Sequence, residues 1–115
     1  MKKDWKVSLA EKATAEIYKR EPALLSRFGE KGKAKCLEDN EHHIKQLETA
    51  LLLDNKQFFI DYAIWLNGIL TKHGMNSQHL IDNFTIIQQL LMKNGEEENE
   101  RGLLYLDEAV LALQQ

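Results

Sequence analysis

The chain has one cysteine, one proline and six glycines in 115 residues. A single cysteine excludes an internal disulfide and fits a reducing compartment. With one proline and no long β-branched runs, little interrupts helix along the chain. No stretch approaches the roughly 20 consecutive apolar residues that a membrane-spanning helix needs. The N-terminal MKKDWKVSLAEK lacks an apolar core of signal-peptide length. These absences lead to the expectation of a cytoplasmic protein with no membrane partner. There is no Cys-x-x-Cys pair and no Ser nucleophile elbow. Gly29-Glu30-Lys31-Gly32-Lys33 has neither the spacing of a phosphate loop nor a strand before it. The case for an enzyme is accordingly weak, and a non-enzymatic role is expected.

What is present is an ordinary globular composition, 43% apolar and 29% charged, at the length of one domain, 1–115. The net charge of −3 hides an asymmetry. Residues 1–35 carry ten Lys/Arg against five Asp/Glu, and residues 36–115 carry five against thirteen. A solvated surface of uneven charge accounts for this; the sharper reading is a contact between the basic end and an acidic end or partner. Nucleic acid is not expected, because the basic residues are interspersed with acids and no aromatic-interleaved basic patch appears.

Helical periodicity dominates and points to six helices. The first runs from about Ser8 to Lys19, with Trp5, Leu9, Ala13 and Ile17 at four-residue spacing, and ends before Pro22. Pro22 starts a short second helix, Ala23 to Phe28, and Gly29 and Gly32 then break the chain. The third spans Lys33 to Leu53. Asp54 is positioned to cap a fourth, Asn55 to His73, which Gly74 ends. Ser77 is positioned to cap a fifth, Gln78 to Lys93. The sixth runs from Glu96 to Leu113, with Glu96, Glu97, Glu98 and Glu100 in its first turns, where the helix dipole favours acids. Short loops make consecutive long helices antiparallel. The expected fold is all-α, a compact antiparallel helical bundle of about four long helices plus short ones. A globin-like arrangement without haem is the alternative topology.

The third helix is the informative one. On a helical wheel Cys36, Leu37, Ile44, Leu47, Ala50 and Leu51 share one arc, with Asn40 in its middle, His43 at its margin and Asp39 just beyond. His42 points the other way, so His43 is the interior histidine and His42 the surface one. Polar groups in an apolar stripe are costly unless paired. The fourth helix carries Phe58, Phe59, Tyr62, Trp65, Leu66, Ile69 and Leu70 in a broad apolar arc, with Asp61 on its flank. Packing of these two helices as an antiparallel hairpin would bring Asp39, Asn40 and His43 near Asp61, Tyr62 and Trp65 in one polar cluster. That cluster is either a satisfied core network or the lining of a small-molecule pocket. No metal is expected, since a carboxylate-bundle site needs two Glu-x-x-His pairs and none is complete here. Cys36 lies two turns from His43, too far for a thiol–imidazole pair, and reads as a buried hydrophobe-like residue. On the last helix, Leu104 and Leu111 form an edge opposite Leu106 and Leu113. A terminal helix apolar on two sides is either sandwiched or shared with a partner.

The strings RFGEKGKAKCLEDNEHHIKQLETAL and QFFIDYAIWLNGIL, followed by GMNSQHL, resemble a known segment. It is the helical segment ahead of the vitamin-B12-binding domain in some bacterial cobalamin-binding regulatory proteins. The likeness covers about residues 27–92 and rests on Arg27-Phe28-Gly29 with Gly32, on Cys36…Glu38-Asp39…His43, and on Asp61-Tyr62…Trp65-Leu66. It implies an accessory or sensory helical module in which Cys36, Asp39, His43, Asp61, Tyr62 and Trp65 act together. Phe28, where tyrosine is expected, and Asn40-Glu41 depart from the pattern. The cobalt-ligating Asp-x-His-x-x-Gly string is absent from the sequence, so cobalamin binding does not carry over and no cofactor is expected. The leading expectation is a regulatory or protein-interaction module that forms a homodimer or holds a protein partner. The alternative is a small-molecule or haem-type sensor, with His43, His73 or His79 as axial candidate.

Overall fold

The computed structural model describes residues 5–94 and 99–115. It is all-α, with five helices among the described residues: α1 (Trp5–Arg20), α2 (Ala23–Leu52), α3 (Lys56–Lys72), α4 (Ser77–Asn94) and α5 (Asn99–Leu113). No strand occurs among the described residues. The acidic run Glu96, Glu97 and Glu98, expected to open the last helix, lies outside the described residues.

Three helix boundaries differ from those expected. The chain breaks at Gly29 alone, where φ is 68° and ψ is −169°, a region open essentially to glycine only. Helix resumes at once, so Gly32 is helical. A Cβ at Gly32 would collide with that of Phe28, so glycine there makes room for the phenylalanine side chain. Second, Asp54 does not cap α3. It sits at φ 53° as the left-handed residue that closes α2. There Asn55 N–H donates to Ala50 O at 2.9 Å and Asp54 N–H to Leu51 O at 3.1 Å. The N-cap of α3 is Asn55, whose side-chain oxygen accepts from Phe58 N–H at 3.3 Å. Third, Ser77 is already helical, and Asn76 caps α4 by accepting from Gln78 N–H at 2.8 Å. Gly74 does close α3 as expected, at φ 86°, with Met75 N–H on Leu70 O and Gly74 N–H on Thr71 O, both at 3.0 Å.

The contacts divide the chain into two compact units, 1–45 and 46–115, and the division falls inside α2. In the first unit, Leu9, Ala10 and Ala13 of α1 are buried, as is Ile44 of α2. In the second unit, α5 packs on both α3 and α4, which touch each other less. Its core is Phe59, Phe84, Leu47, Ile87 and Leu106, all fully buried, with the Phe59 and Phe84 rings 5.3 Å apart. Only Phe59, Ile60 and Ala63 of α3 are buried. The expected arc was therefore too wide: Trp65 is 62% exposed and Ile69 is also exposed. The buried strip of α3 centres on Phe59 and Ala63, which leaves Trp65 on its outer side.

Arg101 fastens the second unit from outside. Its guanidinium donates from Nη2 to Leu51 O at 3.1 Å, to Asp54 Oδ1 at 2.6 Å and to the Tyr105 hydroxyl at 3.3 Å. One cation thus gives a second hydrogen bond to a carbonyl at the C-terminal end of α2, where the helix dipole favours positive charge, and pairs with the aspartate beside it. Lys56 and Glu108 tie α3 to α5 at 3.8 Å.

Candidate functional site

Several places depart from the rule of apolar inside and polar outside, with Leu52, Ile64 and Trp65 exposed and Asn99 buried, and two of them span neighbouring helices. The first is the polar patch within the first unit. Asn40 is fully buried, His43 is 4% exposed and Thr14 is 3% exposed. His42 is exposed, which is the asymmetry the helical wheel anticipates. The Asn40 amide donates to Thr14 Oγ1 at 3.3 Å and to Cys36 O at 3.1 Å, and its nitrogen stands 3.7 Å from Cys36 Sγ. Thr14 Oγ1 in turn donates to Ala10 O at 2.9 Å. Asn40 therefore links α2 to α1 and holds its own preceding turn. Sequence reasoning missed Thr14. Its signal was the four-residue spacing Ala10-Thr14-Tyr18 on the buried side of α1, but a partner across two helices depends on axial register.

Around this patch, Asp39 faces solvent and pairs with Lys35 at 3.1 Å, which raises the Lys35 pKa. Lys33 lies over the Tyr18 ring at 5.8 Å. Cys36 is half-buried. Burial pushes its thiol pKa up, hydrogen bonding with Thr14 pulls it back in part, and the nearby Asp39 charge adds to the rise. A thiol shifted that way is more fully protonated and less nucleophilic than a free one. Burial, with a smaller contribution from His42, lowers the His43 pKa from 6.5 to about 3, so the imidazole is neutral at physiological pH.

The remaining expected cluster members lie on α3, in the second unit. Asp61 is exposed and accepts from Gln57 at 2.8 Å. Tyr62 is half-buried between Phe59, with ring centroids 5.8 Å apart, and Trp65, at 6.4 Å. The other histidines proposed as axial ligands are both exposed. His73 Nδ1 is 2.8 Å from Ile69 O and His79 Nδ1 is 3.3 Å from Asn76 O. Among the described residues, no three His, Cys, Asp or Glu side chains converge as metal ligands would. The one buried side-chain oxygen or nitrogen there without a hydrogen-bond partner is Asn67 Oδ1, on α3.

The second departure is the outer side of α5 and the neighbouring edge of α4. Leu104 and Leu111 are 50% and 49% exposed, while Leu106 and Leu113 are buried. Met92 of α4 is 65% exposed. Leu103, Leu104 and Met92 line an open groove with Thr85, Gln88, Gln89 and Asp107. Gln88 braces it by donating to Leu103 O at 3.3 Å. The two edges of α5 are thus distinct, one filling the monomer core and the other facing outward.

No family model, curated protein or solved structure matches this chain.

Proposed function

We propose that the chain is a non-enzymatic regulatory or protein-interaction module that self-associates through the outward face of α5. The observation that carries this reading is the pair Leu104 and Leu111, half-exposed on one side of a helix whose other side is buried. Met92 widens the apolar surface. Exposed apolar side chains grouped on one face of a helix, unlike ones scattered singly, are a mark of an interaction site. The polar patch on α1 and α2 supports a non-catalytic role, because its raised thiol and neutral, buried imidazole form no nucleophile–base pair. The resemblance to the helical segment of cobalamin-binding regulatory proteins points the same way, toward an accessory rather than a catalytic part.

The association should be weak. Completing the burial of a half-exposed leucine contributes about 1 kcal/mol, and a few such side chains must offset about 4–15 kcal/mol of lost rigid-body freedom. Sedimentation equilibrium from low to high micromolar concentration tests the reading. Wild type should associate, and Leu104→Glu with Leu111→Glu should be monomeric with an unchanged helical spectrum. A wild type that stays monomeric at high micromolar concentration sinks the proposal. If the double variant unfolds, the two leucines belong to the monomer fold and the face has been misassigned.

A further inference from the structure

We infer that the self-association is head-to-tail: the Arg27–Phe28 corner of one copy docks in the α4–α5 groove of the next. The inference rests on the self-association proposed above and specifies its geometry.

A closed two-fold contact of α5 on itself meets an electrostatic obstacle. Glu100, Leu104, Asp107 and Leu111 follow one another along the outward side of the helix, and all four are exposed. An antiparallel pairing that sets Leu104 against Leu111 of the second copy also sets Asp107 against Glu108 of that copy, whose charge Lys56, at 3.8 Å and exposed, offsets only in part. A parallel pairing sets Asp107 against its own equivalent. In both registers acid meets acid inside the contact, which costs several-fold in affinity and selects against that partner. The face needs an occupant that brings apolar surface and positive charge together.

The first unit presents such an element. Phe28 and Leu25 are 53% and 41% exposed. The Arg27 guanidinium lies over the Phe28 ring, 5.1 Å from its centroid. Lys31 is exposed one turn further on. The missing side chain at Gly32 leaves room for Phe28, since a Cβ there would collide with the Phe28 Cβ. Aromatic and arginine side chains are also the residue types that dominate interface energetics. In the groove, Met92, Leu103 and Leu104 offer the apolar floor and Asp107 stands at its rim. Phe28 fits that floor, where a thioether and an aromatic ring attract one another. Arg27, adjacent to the ring, then meets Asp107. The sequence carries the same complementarity on a larger scale: residues 19–35 hold six Lys/Arg and two Asp/Glu, whereas α5 holds one arginine and three acids.

Such a contact uses a different surface on each partner, so it propagates into rings or chains instead of closing as a dimer. A mixing experiment separates the geometries. The head variant carries Arg27→Glu and Phe28→Ala, and the tail variant carries Leu104→Glu and Asp107→Arg. All four residues are exposed, and far-UV circular dichroism checks that each variant is folded. In sedimentation velocity, wild type should grow beyond dimer with concentration, and each variant alone should be monomeric. An equimolar mixture of wild type with either variant should stop growing, because each variant terminates a chain. In a second mixture, Arg27→Glu with Asp107→Arg as single substitutions should restore association at least tenfold over either alone, through the reversed ion pair. Raised salt should weaken wild-type association. A head variant that dimerises as well as wild type overturns the head-to-tail geometry and leaves the α5 self-association standing. A wild type that associates while the reversed-charge mixture shows no gain also overturns it. A monomeric wild type removes both.

Discussion

Acid should loosen this protein through His43. The imidazole is buried on α2 and its pKa is lowered to about 3 from a reference of 6.5. In the unfolded chain the same group takes up a proton as pH falls through the reference value, while in the folded protein it stays neutral down to about pH 3. A depressed folded-state pKa contributes stability that is fully present above the unfolded value and is lost as pH falls toward the folded one. The window is therefore pH 6.5 to about 3. Between pH 7 and pH 5 the unfolded chain gains most of one proton at this site, which corresponds to a loss of about 2 kcal/mol. Against the ~5–15 kcal/mol total typical of a small domain, that is a large share.

Urea unfolding of wild type and His43→Gln at the two pH values measures this. The variant keeps a polar side chain but cannot titrate. At pH 7 it should be less stable by about 1–3 kcal/mol, through imperfect replacement of a buried polar group. At pH 5 the gap should shrink by about 2 kcal/mol, because only wild type pays the protonation term. Carboxylates elsewhere titrate in both proteins and cancel in the difference. A gap that is the same at both pH values refutes the assignment of a buried neutral imidazole. His42→Gln should leave most of the wild-type pH slope in place, since His42 is exposed and contributes only the smaller part of the His43 shift.

Two glycines should respond in opposite directions. Gly29→Ala should lower the melting temperature, because φ 68° with ψ −169° costs a side-chain-bearing residue about 1–3 kcal/mol; a neutral result would mean that the break is set by its neighbours. Gly102→Ala should raise stability by about 0.5–1 kcal/mol in chemical denaturation, since an added methyl in the first turn of α5 reduces unfolded-state freedom. Its Cβ would meet Leu51, Leu47 and Leu91 at 3.8–3.9 Å, which is ordinary contact, so a loss of stability would show that α5 packs more tightly than this.

Much of the helix map was legible because its punctuation is chemically strong. Pro22 separates α1 from α2, and Gly74 closes α3 in the left-handed conformation that glycine adopts without strain. The caps were harder. Asp54-Asn55 and Asn76-Ser77 each place two capping residues side by side. The turn between α2 and α3 is so short that Asp54 is used up closing one helix, which leaves Asn55 to open the next. Pattern alone does not distinguish those duties. The inward direction of Asn40 and His43 was readable from the period of α2. Their neighbours were not, because Thr14 reaches Asn40 across 26 residues of chain and its register against α2 has no local signature. The aromatic arc of α3 misled for a related reason: hydrophobicity told which residues tolerate burial, whereas the positions of α4 and α5 decided which of them were covered.

The polar patch of α1 and α2 and the apolar outer edge of α5 are both visible in the sequence, and their energetics give them different weight. A buried asparagine whose amide reaches Thr14 and Cys36 has its donor capacity met within the chain. Such a network fixes the alignment of two helices at little net cost and asks for nothing from outside. Apolar surface has no equivalent way to satisfy itself. Leu104, Leu111 and Met92 remain in water at about half or more of their area, and each would gain by leaving it. The acids beside them, Asp107 and Glu100, then narrow the choice, because they make the surface unfavourable for its own copy and favourable for a cationic apolar one. The outer face of α5 is accordingly where the proposed contact lies, while the Asn40–Thr14 hydrogen bond joins α1 to α2 within the basic end of the chain.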